Sequence, residues 1–545
     1  MNKYIDSFSH YKILIVISFL VNALGLSNDI FNGDSALYAS ISKNMAFSND
    51  FIHLNAVIQS NWIDKPHFSF WIWAIFIKVF GNNNLGFKLP VLLSFITLLR
   101  YCFLFSKKYY GRESALISTL ILSTSLHIII SNNDVRIDIF LITFMMIAIY
   151  HFQQFLEKNQ ILHFIFACIA TSVAIMTKGI FVIAPIGMSI LCYYYFQNQL
   201  KNIFKPIWLL AILLVVVGIT PALYALKIQF ETYGNNLILG QEASNYLKFF
   251  FWDSQFGRFN SNLGQLESKG DVFFYFHTLL WVFAPWTILL FKSFFIKQNP
   301  LKEYITLSCF GILFIILSFS KTQLSHHALI LLPFLSIILA SLLTSHDIKP
   351  SHRIVNKIQV PLLLLICVFS IYFSHILTGE IALKFILLIF TLILALIWLY
   401  FSKISNKIIS FTAIIGLFLG VYLNSVAYPE ILNYQAGRQA AEYLVQHNNQ
   451  EKVKNLFGNI ALLNFYYPKT IFNIDSIPSN YPHKDGKYIL YTSDYGISEL
   501  QSKHIDFKVL KELEDYRTTV LKRDFLIKER RNSVLQKFYL IEINP

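Results

Sequence analysis

Long apolar runs alternate with short polar segments along most of the chain. Each run is close to the roughly 20 residues that a helix needs to cross the hydrocarbon core of a bilayer. On this length criterion we predict about thirteen transmembrane helices, at residues 11–27, 87–106, 113–131, 138–156, 160–177, 179–197, 206–226, 272–292, 303–319, 323–344, 358–377, 381–401 and 407–424. The pattern therefore predicts a polytopic α-helical membrane protein.

The polar connections differ in charge from one side of these spans to the other. Lysine and arginine gather in every second connection, for example at 107–112, 201–205 and 349–357, and the short connections between them carry almost none. Positively charged loops stay in the cytoplasm. We therefore predict a membrane protein with a cytoplasmic N-terminus and two long outer loops, at 28–86 and 227–271.

The periodicity changes within the first outer loop and again after the last span. Residues 34–45 have helical spacing, and FSFWIWAIFIKVFG at 68–81 has the short aromatic character of a helix lying along the membrane interface. After residue 428, a predicted amphipathic helix and the strands KYILYTS and KFYLIEI indicate a small α/β domain. We divide the chain into a transmembrane domain at 1–428 and a soluble periplasmic domain at 429–545, whose basic run KERRN is predicted to be solvated.

Composition excludes several other classes of protein. With 55% hydrophobic and 14% charged residues, the chain is neither a typical soluble enzyme nor a disordered protein. The net charge of +14 is explained by topology and anionic lipid, so no nucleic-acid partner is predicted. All five cysteines fall in apolar segments without Cys-x-x-Cys spacing, which argues against a zinc ribbon or a disulfide framework.

Ionisable residues gather at the outer ends of the predicted spans. They include Asp34, Asp64, Lys65, Asp134, Arg136, Asp138, Lys178, Asp253, Arg258, Lys321, His326 and His327. Such groups usually line a cavity when they lie at membrane depth. Lysine and arginine suit a phosphate, and a carboxylate suits a general base or a developing oxocarbenium charge. The pattern predicts an outward-facing cavity for transfer from a lipid-linked phosphate donor.

Several short motifs follow one another in order along the membrane part. They are Asp34 with Tyr38-Ala39, Asp64-Lys65-Pro66, FGNNNLGFKLP at 80–90, Arg136 with Asp138, Lys178-Gly179, FAPW at 283–286 and SKTQL at 320–324. As an ordered set they resemble the bacterial GT-C glycosyltransferases related to protein O-mannosyltransferases, and most closely the lipid A aminoarabinose transferases. The resemblance implies a GT-C fold, an undecaprenyl-phosphate-linked sugar donor, and an acceptor outside the inner membrane such as lipid A.

The resemblance also implies roles for individual residues. Asp34 and Asp138 are the predicted catalytic acids, and Lys65 is a predicted ligand of the donor phosphate. The further predicted substrate-binding residues are Asp64, Tyr38, Arg258, Lys321 and Lys178. A plainer role stays open for three of these residues: Asp34 could cap a helix, Asp138 could pair with Arg136, and Lys178 could anchor a span at the interface.

A metal ion is a further alternative for binding the phosphate. His326 and His327 are adjacent and point about 100° apart on an α-helix. One of the two at most is therefore predicted to bind a divalent metal such as Zn²⁺ or Mg²⁺.

The chain departs from the family's usual motifs at several positions, including Asp64, where a glutamate is usual. Ser35 stands where a glutamate is usual, Leu37 where an arginine is usual, and His67 where a proline is usual. The sugar is therefore aminoarabinose or another, possibly amino, sugar. Two alternative functions stay open: a transferase that uses the same donor on protein serine or threonine, and a lipid or sugar flippase without chemistry.

Overall fold

The structure is a computed structural model that describes residues 2–543, except 57–61, 234–236, 239–240, 243–244, 257–269, 292–302, 346–351, 380–382, 403, 405, 450, 475–486 and 519. Each predicted span coincides with a described helix or with a pair of helices. Backbone groups in hydrocarbon must be satisfied within the chain itself, and a helix achieves this for every apolar run.

The membrane part consists almost entirely of helices. Its α-helices are Asn2–Leu24, Asp34–Ser48, Phe68–Phe80, Asn84–Tyr110, Arg112–Thr124, Leu126–Asn133, Asp138–Lys158, Ile161–Lys178, Ile183–Phe196, Ile207–Tyr233, Tyr246–Lys248, Ser254–Phe256, Phe274–Val282, Thr287–Phe291, Ile305–Phe319, Leu332–Thr344, His352–Thr378, Leu383–Phe401, Lys407–Tyr422 and Tyr428–Ile431. Short 3₁₀ segments at Gly25–Ser27, Ile180–Val182, Leu200–Phe204 and Ser325–Leu331, and π-helical turns at Phe249–Asp253 and Leu423–Ala427, adjoin these helices.

Eight of the described helices are long and apolar enough to cross a membrane. The number becomes nine when Arg112–Thr124 and Leu126–Asn133, which meet at 55°, are taken as one bent span. The chain is thus a multi-pass membrane protein, as predicted. Four further apolar helices are shorter, and the prediction of about thirteen crossings stays a prediction on the length criterion.

Two glycines let the helix Lys407–Tyr422 pack closely against its neighbours. A Cβ atom at Gly416 would lie 2.6 Å from the backbone oxygen of Thr124, and one at Gly420 would lie 2.5 Å from a methyl group of Val21. Small residues at helix contacts are typical of membrane proteins because packing, not hydrophobic burial, drives association there. This helix therefore holds the N-terminal helix and the bent span together.

The first outer loop contains the two helices that its pattern predicted. Gly33 precedes the first of them with a φ of 93°, a conformation that favours glycine, and the helix Asp34–Ser48 begins at the next residue. The second helix, Phe68–Phe80, has only 13 residues and buries one face, including Phe70 and Trp73, against the rest of the loop and the spans.

A small domain with a mixed sheet follows the last span. The structure describes a hairpin of β1 (Leu237–Ile238) and β2 (Gln241–Glu242) in the second outer loop, and five strands in the C-terminal part: β3 (Lys452–Leu456), β4 (Ile471–Asn473), β5 (Tyr488–Ser493), β6 (Phe507–Asp515) and β7 (Gln536–Ile543). The five strands are ordered β4-β3-β5-β7-β6, with β3 parallel to β4 and β5 and the other pairs antiparallel. The predicted α/β domain is confirmed.

Both faces of this sheet are covered. Ile489 and Tyr491 of β5 pack in a cluster with the helix Ala436–Gln446, while Leu490 packs on the opposite face with Leu500. Alternate side chains of a strand point to opposite faces, so a strand that is buried on both sides is apolar throughout. The remaining helical segments of the domain are Ile460–Tyr466, Asp494–Ser502, Arg523–Leu526 and the 3₁₀ turn Lys528–Ser533.

Polar contacts fasten this domain to the first outer loop. Lys43 is buried and donates to the backbone oxygens of Asn464 and, at 2.5 Å, Tyr467. Arg438 pairs with Asp29 at 2.8 Å. The C-terminal domain thereby contacts the loop helix Asp34–Ser48 and the segment before it.

The prediction that the KERRN run is solvated is wrong for Arg531. This side chain is 1% exposed, pairs with Glu430 at 2.7 Å, and donates to the backbone oxygens of Leu377 and Phe525 at 2.7 and 2.8 Å. Four partners from three segments satisfy the buried guanidinium. Arg531 joins the C-terminal domain to the end of the helix His352–Thr378.

Candidate active site

One cavity brings most of the predicted site residues together. Its volume is about 320 Å³, and its walls include Asp34, Tyr38, Asp64, Lys65, Asp138, Lys178, His326 and His327. Helix ends supply these side chains: the start of Asp34–Ser48, the turn before Phe68–Phe80, the start of Asp138–Lys158 and the end of Ile161–Lys178. Ionisable residues at one end of the apolar spans thus line the same cavity.

Asp34 is the most accessible of the three acids that line this cavity. Its side chain is 52% exposed, compared with 28% for Asp64 and 4% for Asp138. The residue that precedes its helix is Gly33, and the Asp34 carboxylate accepts a hydrogen bond from Arg136 Nη1 at 2.8 Å. Gly33 thus caps this helix and Asp34 is its first residue, and the catalytic role of Asp34 stays a prediction.

Each of the three acids in the cavity wall has a basic partner. Asp34 pairs with Arg136, Asp64 with Lys65, and Asp138 with Lys178 at 2.5 Å. The partner of Asp138 is thus Lys178 and not Arg136. The Lys178 side chain is 9% exposed and faces the cavity, and its role in substrate binding stays a prediction.

Tyr38 stands one helical turn after Asp34 and closes the inner wall of the cavity. Its ring stacks on Trp73 with the ring centroids 5.7 Å apart, and meets Trp62 and Phe70 edge to face. Burial, with the negative charges of Asp34 and Asp64, raises the pKa of Tyr38 well above its usual range. The phenol is therefore neutral and contributes shape and a hydroxyl group.

The two histidines stand at the start of the 3₁₀ turn Ser325–Leu331. Their rings meet edge to face with the centroids 4.7 Å apart. Within the described parts of the chain, no group of three or more His, Cys, Asp or Glu side chains could hold a metal ion. The residues around His326 and His327 therefore do not fit the predicted divalent metal.

One predicted residue stands apart from this cavity, and another is not described by the structure. Lys321 is exposed in the turn before the histidines and is not part of the cavity wall, although Thr322 beside it is. Arg258 falls outside the residues that the structure describes.

A smaller and more apolar cavity of about 80 Å³ adjoins the first. The two share Asp138, Lys178, Thr322 and His327. The smaller cavity continues between apolar side chains, namely Phe181, Ile316, Leu317 and Ile330. Its wall also includes the uncharged polar residues Ser254, Gln255 and Ser320, so an ionisable space adjoins a less charged and more apolar one.

Arg136 and Asp134 were predicted to lie at the outer ends of the spans but were not among the predicted site residues. Arg136 lines the cavity, and its guanidinium also contacts Asp134 through Nε and Nη2, both at 2.6 Å. Burial raises the pKa of Asp134, and the charge of Arg136 and a hydrogen bond from Ser35 oppose that rise. Burial tends to lower the pKa of Arg136, but the two neighbouring carboxylates raise it above its usual range. The closely spaced charges in SNNDVRID were the available signal for this network.

Fold and cavity together define a multi-pass membrane protein with an ionisable site at one end of its spans. Comparison with known proteins narrows this class. Residues 64–224 match the model of the dolichyl-phosphate-mannose-protein mannosyltransferase family. The chain also superposes, over 97–99% of its length, on two crystal structures of ArnT from Cupriavidus metallidurans. For the structure bound to undecaprenyl phosphate, the TM-score is 0.74, the sequence identity is 14%, and 98% of that chain is covered.

The chain also has relatives in sequence. The chain is 25% identical to an uncharacterized protein of Aquifex aeolicus over 455 residues, which cover 81% of this chain and 82% of that protein. It is 23% identical to an undecaprenyl phosphate-alpha-4-amino-4-deoxy-L-arabinose arabinosyl transferase of Proteus mirabilis over 335 residues, 59% of this chain and 57% of that one. The predicted resemblance to bacterial GT-C glycosyltransferases, and to aminoarabinose transferases in particular, is confirmed.

Proposed function

We propose that this protein is a glycosyltransferase that moves a sugar from undecaprenyl phosphate to lipid A or a related acceptor of the cell envelope. The observation that carries the proposal is the pair of adjoining cavities. One is lined mainly by acids and bases, the other combines apolar side chains with uncharged polar ones, and they share Asp138 and Lys178. A lipid-linked sugar phosphate has the matching sequence of polar head and hydrocarbon tail.

In this proposal the basic residues bind the phosphate of the donor. Lys65 and Lys178 line the ionisable cavity, and Lys178 also lines the start of the apolar one. Lysine binds phosphate as a point charge. Each is paired with an acid, so an incoming phosphate exchanges one anionic partner for another. Lys321 and Arg258 belong to the same proposed donor-binding group.

Asp34 faces the reacting centre in this proposal. The bond between sugar C1 and the donor phosphate oxygen breaks, a bond from the acceptor oxygen to C1 forms, and undecaprenyl phosphate leaves. If the acceptor is a phosphate, its oxygen is already ionised and Asp34 acts by electrostatics and positioning. If it is a hydroxyl, Asp34 is the general base that removes its proton. Asp138 is the second acid of the site, held by Lys178.

The proposal includes a topology. The N-terminus is cytoplasmic, and the cavity and the domain at 429–545 lie on the periplasmic side of the inner membrane, with the membrane domain at 1–428. The alternation of basic connections supports this orientation. The contact of the C-terminal domain with the loop helix that begins at Asp34 supports placing both on one side.

Mass spectrometry of envelope molecules tests this proposal in cells. Lipid A and envelope proteins are compared between cells that lack the protein and cells that express the wild type or Asp34→Asn. The expected result is a sugar-sized mass increase on lipid A that requires the wild-type protein. The same increase on proteins alone would replace lipid A by a protein acceptor. No change in either, with donor lipid redistributed across the membrane, would favour a flippase and overturn the proposal.

A further inference from the structure

The Asp34 carboxylate is held at one point by a residue from another part of the chain. It is the first residue of its helix, and its side chain is half exposed. Arg136 Nη1 donates to Asp34 Oδ2 at 2.8 Å across the cavity wall. The contact joins the first outer loop to the connection before the helix Asp138–Lys158.

Arg136 is in turn held on its other side. Its Nε and Nη2 both lie 2.6 Å from Asp134 Oδ2, and the second oxygen of Asp134 accepts a hydrogen bond from Ser35 at 2.6 Å. Ser35 is buried and Asp134 nearly so. A guanidinium is planar and presents its N–H groups in a fixed fork, so contacts along one edge determine where the remaining nitrogen points.

The backbone between the two charged residues is adapted to this arrangement. Val135 is fully buried and has a φ of 48°, a left-handed conformation that is unusual for a β-branched residue. Strained backbone of this kind persists where the surroundings fix it, and it clusters at functional sites. The turn lets Asp134 and Arg136 form their ion pair although only one residue separates them.

We propose that Arg136 is a positioning residue that aims the Asp34 carboxylate at the reacting sugar, and that Ser35 and Asp134 hold Arg136 for this task. The proposal rests on the proposed function of Asp34. It assigns Arg136 to the acid and not to the donor phosphate, because its three nitrogens are already directed at two carboxylates. Losing the arrangement leaves Asp34 in place but without a fixed direction.

A double-mutant cycle on the purified protein tests this inference. The variants are Arg136→Gln, Asp34→Asn and both together, with kcat and the donor KM measured for each. If Arg136 acts through Asp34, Arg136→Gln lowers kcat about 10- to 100-fold, at most the lower end of the roughly 10²- to 10⁴-fold effects of general acid–base groups. The donor KM then changes little, and the double variant is no worse than Asp34→Asn alone, since residues that act as a unit are not additive. Arg100→Gln, an exposed arginine elsewhere, is the matched control.

Two further variants keep the inference falsifiable if Arg136→Gln fails to fold. Ser35→Ala removes a single hydroxyl group. It is expected to lower kcat about threefold or more when introduced into the wild type, but not when introduced into the Asp34→Asn variant. Leu37 lines the cavity three residues after Asp34 on the same helix face. Leu37→Arg should therefore restore part of the kcat lost in Arg136→Gln.

Three outcomes would contradict either the role inferred for Arg136 or the proposed function. A raised donor KM with unchanged kcat in Arg136→Gln would assign Arg136 to the donor and overturn the inference. Multiplying losses in the double variant would overturn it too. A wild-type protein that transfers no sugar would refute the proposed function itself, because the cycle is interpretable only when wild-type turnover is measurable.

Discussion

The buried pair of Lys178 and Asp138 offers the sharpest test of how the cavity wall is built. Their side chains are 9% and 4% exposed, and Nζ lies 2.5 Å from Oδ1. Replacing Lys178 by methionine keeps most of the volume but leaves a buried carboxylate without its cation. Breaking one side of a buried ion pair costs about 3–5 kcal/mol. We therefore expect Lys178→Met to lower the free energy of unfolding by that amount.

The assay is thermal or denaturant unfolding in one detergent, with a matched control on the surface. Lys227 pairs with Glu231 at 3.6 Å, but their side chains are 48% and 58% exposed. Exposed pairs contribute about 0–1 kcal/mol, so Lys227→Met should be nearly neutral. If Lys178→Met is no more destabilising than Lys227→Met, the buried-pair explanation is refuted.

A second substitution separates stability from function. Lys178→Met combined with Asp138→Leu removes both charges, and apolar replacement of a buried pair is often neutral or stabilising. The double variant should regain most of the lost stability while staying inactive in sugar transfer. An active double variant would show that neither charge serves the reaction.

Three further predictions concern the loop, the outer domain and the helix packing. Burial lowers the pKa of His67 to about 4. As the pH drops from 6.5 to 4 the unfolded chain is protonated at His67 before the folded chain, so the free energy of unfolding should fall by up to about 3 kcal/mol. His67→Gln should flatten that pH dependence, and an unchanged slope would contradict the prediction. Arg531→Met leaves Glu430 without its buried partner and should lower the free energy of unfolding by about 3–5 kcal/mol. It should also increase proteolysis of the C-terminal domain, and protease resistance equal to that of the wild type would contradict this. Gly416→Ala should lower the free energy of unfolding by about 1–3 kcal/mol, because its Cβ atom would meet the backbone of Thr124. An unchanged melting temperature in thermal unfolding would show that the two helices can move apart.

The parts of the fold that follow from local pattern were predictable from the sequence. Apolar runs of span length became helices, and the predicted strands KYILYTS and KFYLIEI became β5 and β7. The resemblance and the ends of the spans also identified Asp34, Lys65 and Asp138, which the cavity brings together. Both kinds of prediction use information that lies within a short stretch of chain.

The parts that depend on distant contacts were not predictable. Asp138 is closer in sequence to Arg136, yet it pairs with Lys178 because two antiparallel helices meet at that end. Arg531 belongs to a run that has the composition of a solvated surface, but three separate segments enclose it. Which charge meets which is decided by tertiary packing, and neither spacing nor composition records it.

Sugar transfer by the purified protein in bilayers tests the central claim most directly. The donor is an undecaprenyl-phosphate-linked aminoarabinose, the acceptor is lipid A, and both released undecaprenyl phosphate and modified lipid A are measured. The wild type should form the two products in equal amounts, and Asp34→Asn should be slower by about 100-fold or more, as expected for loss of an acid–base or electrostatic group. Equal rates for the wild type and Asp34→Asn would contradict the account.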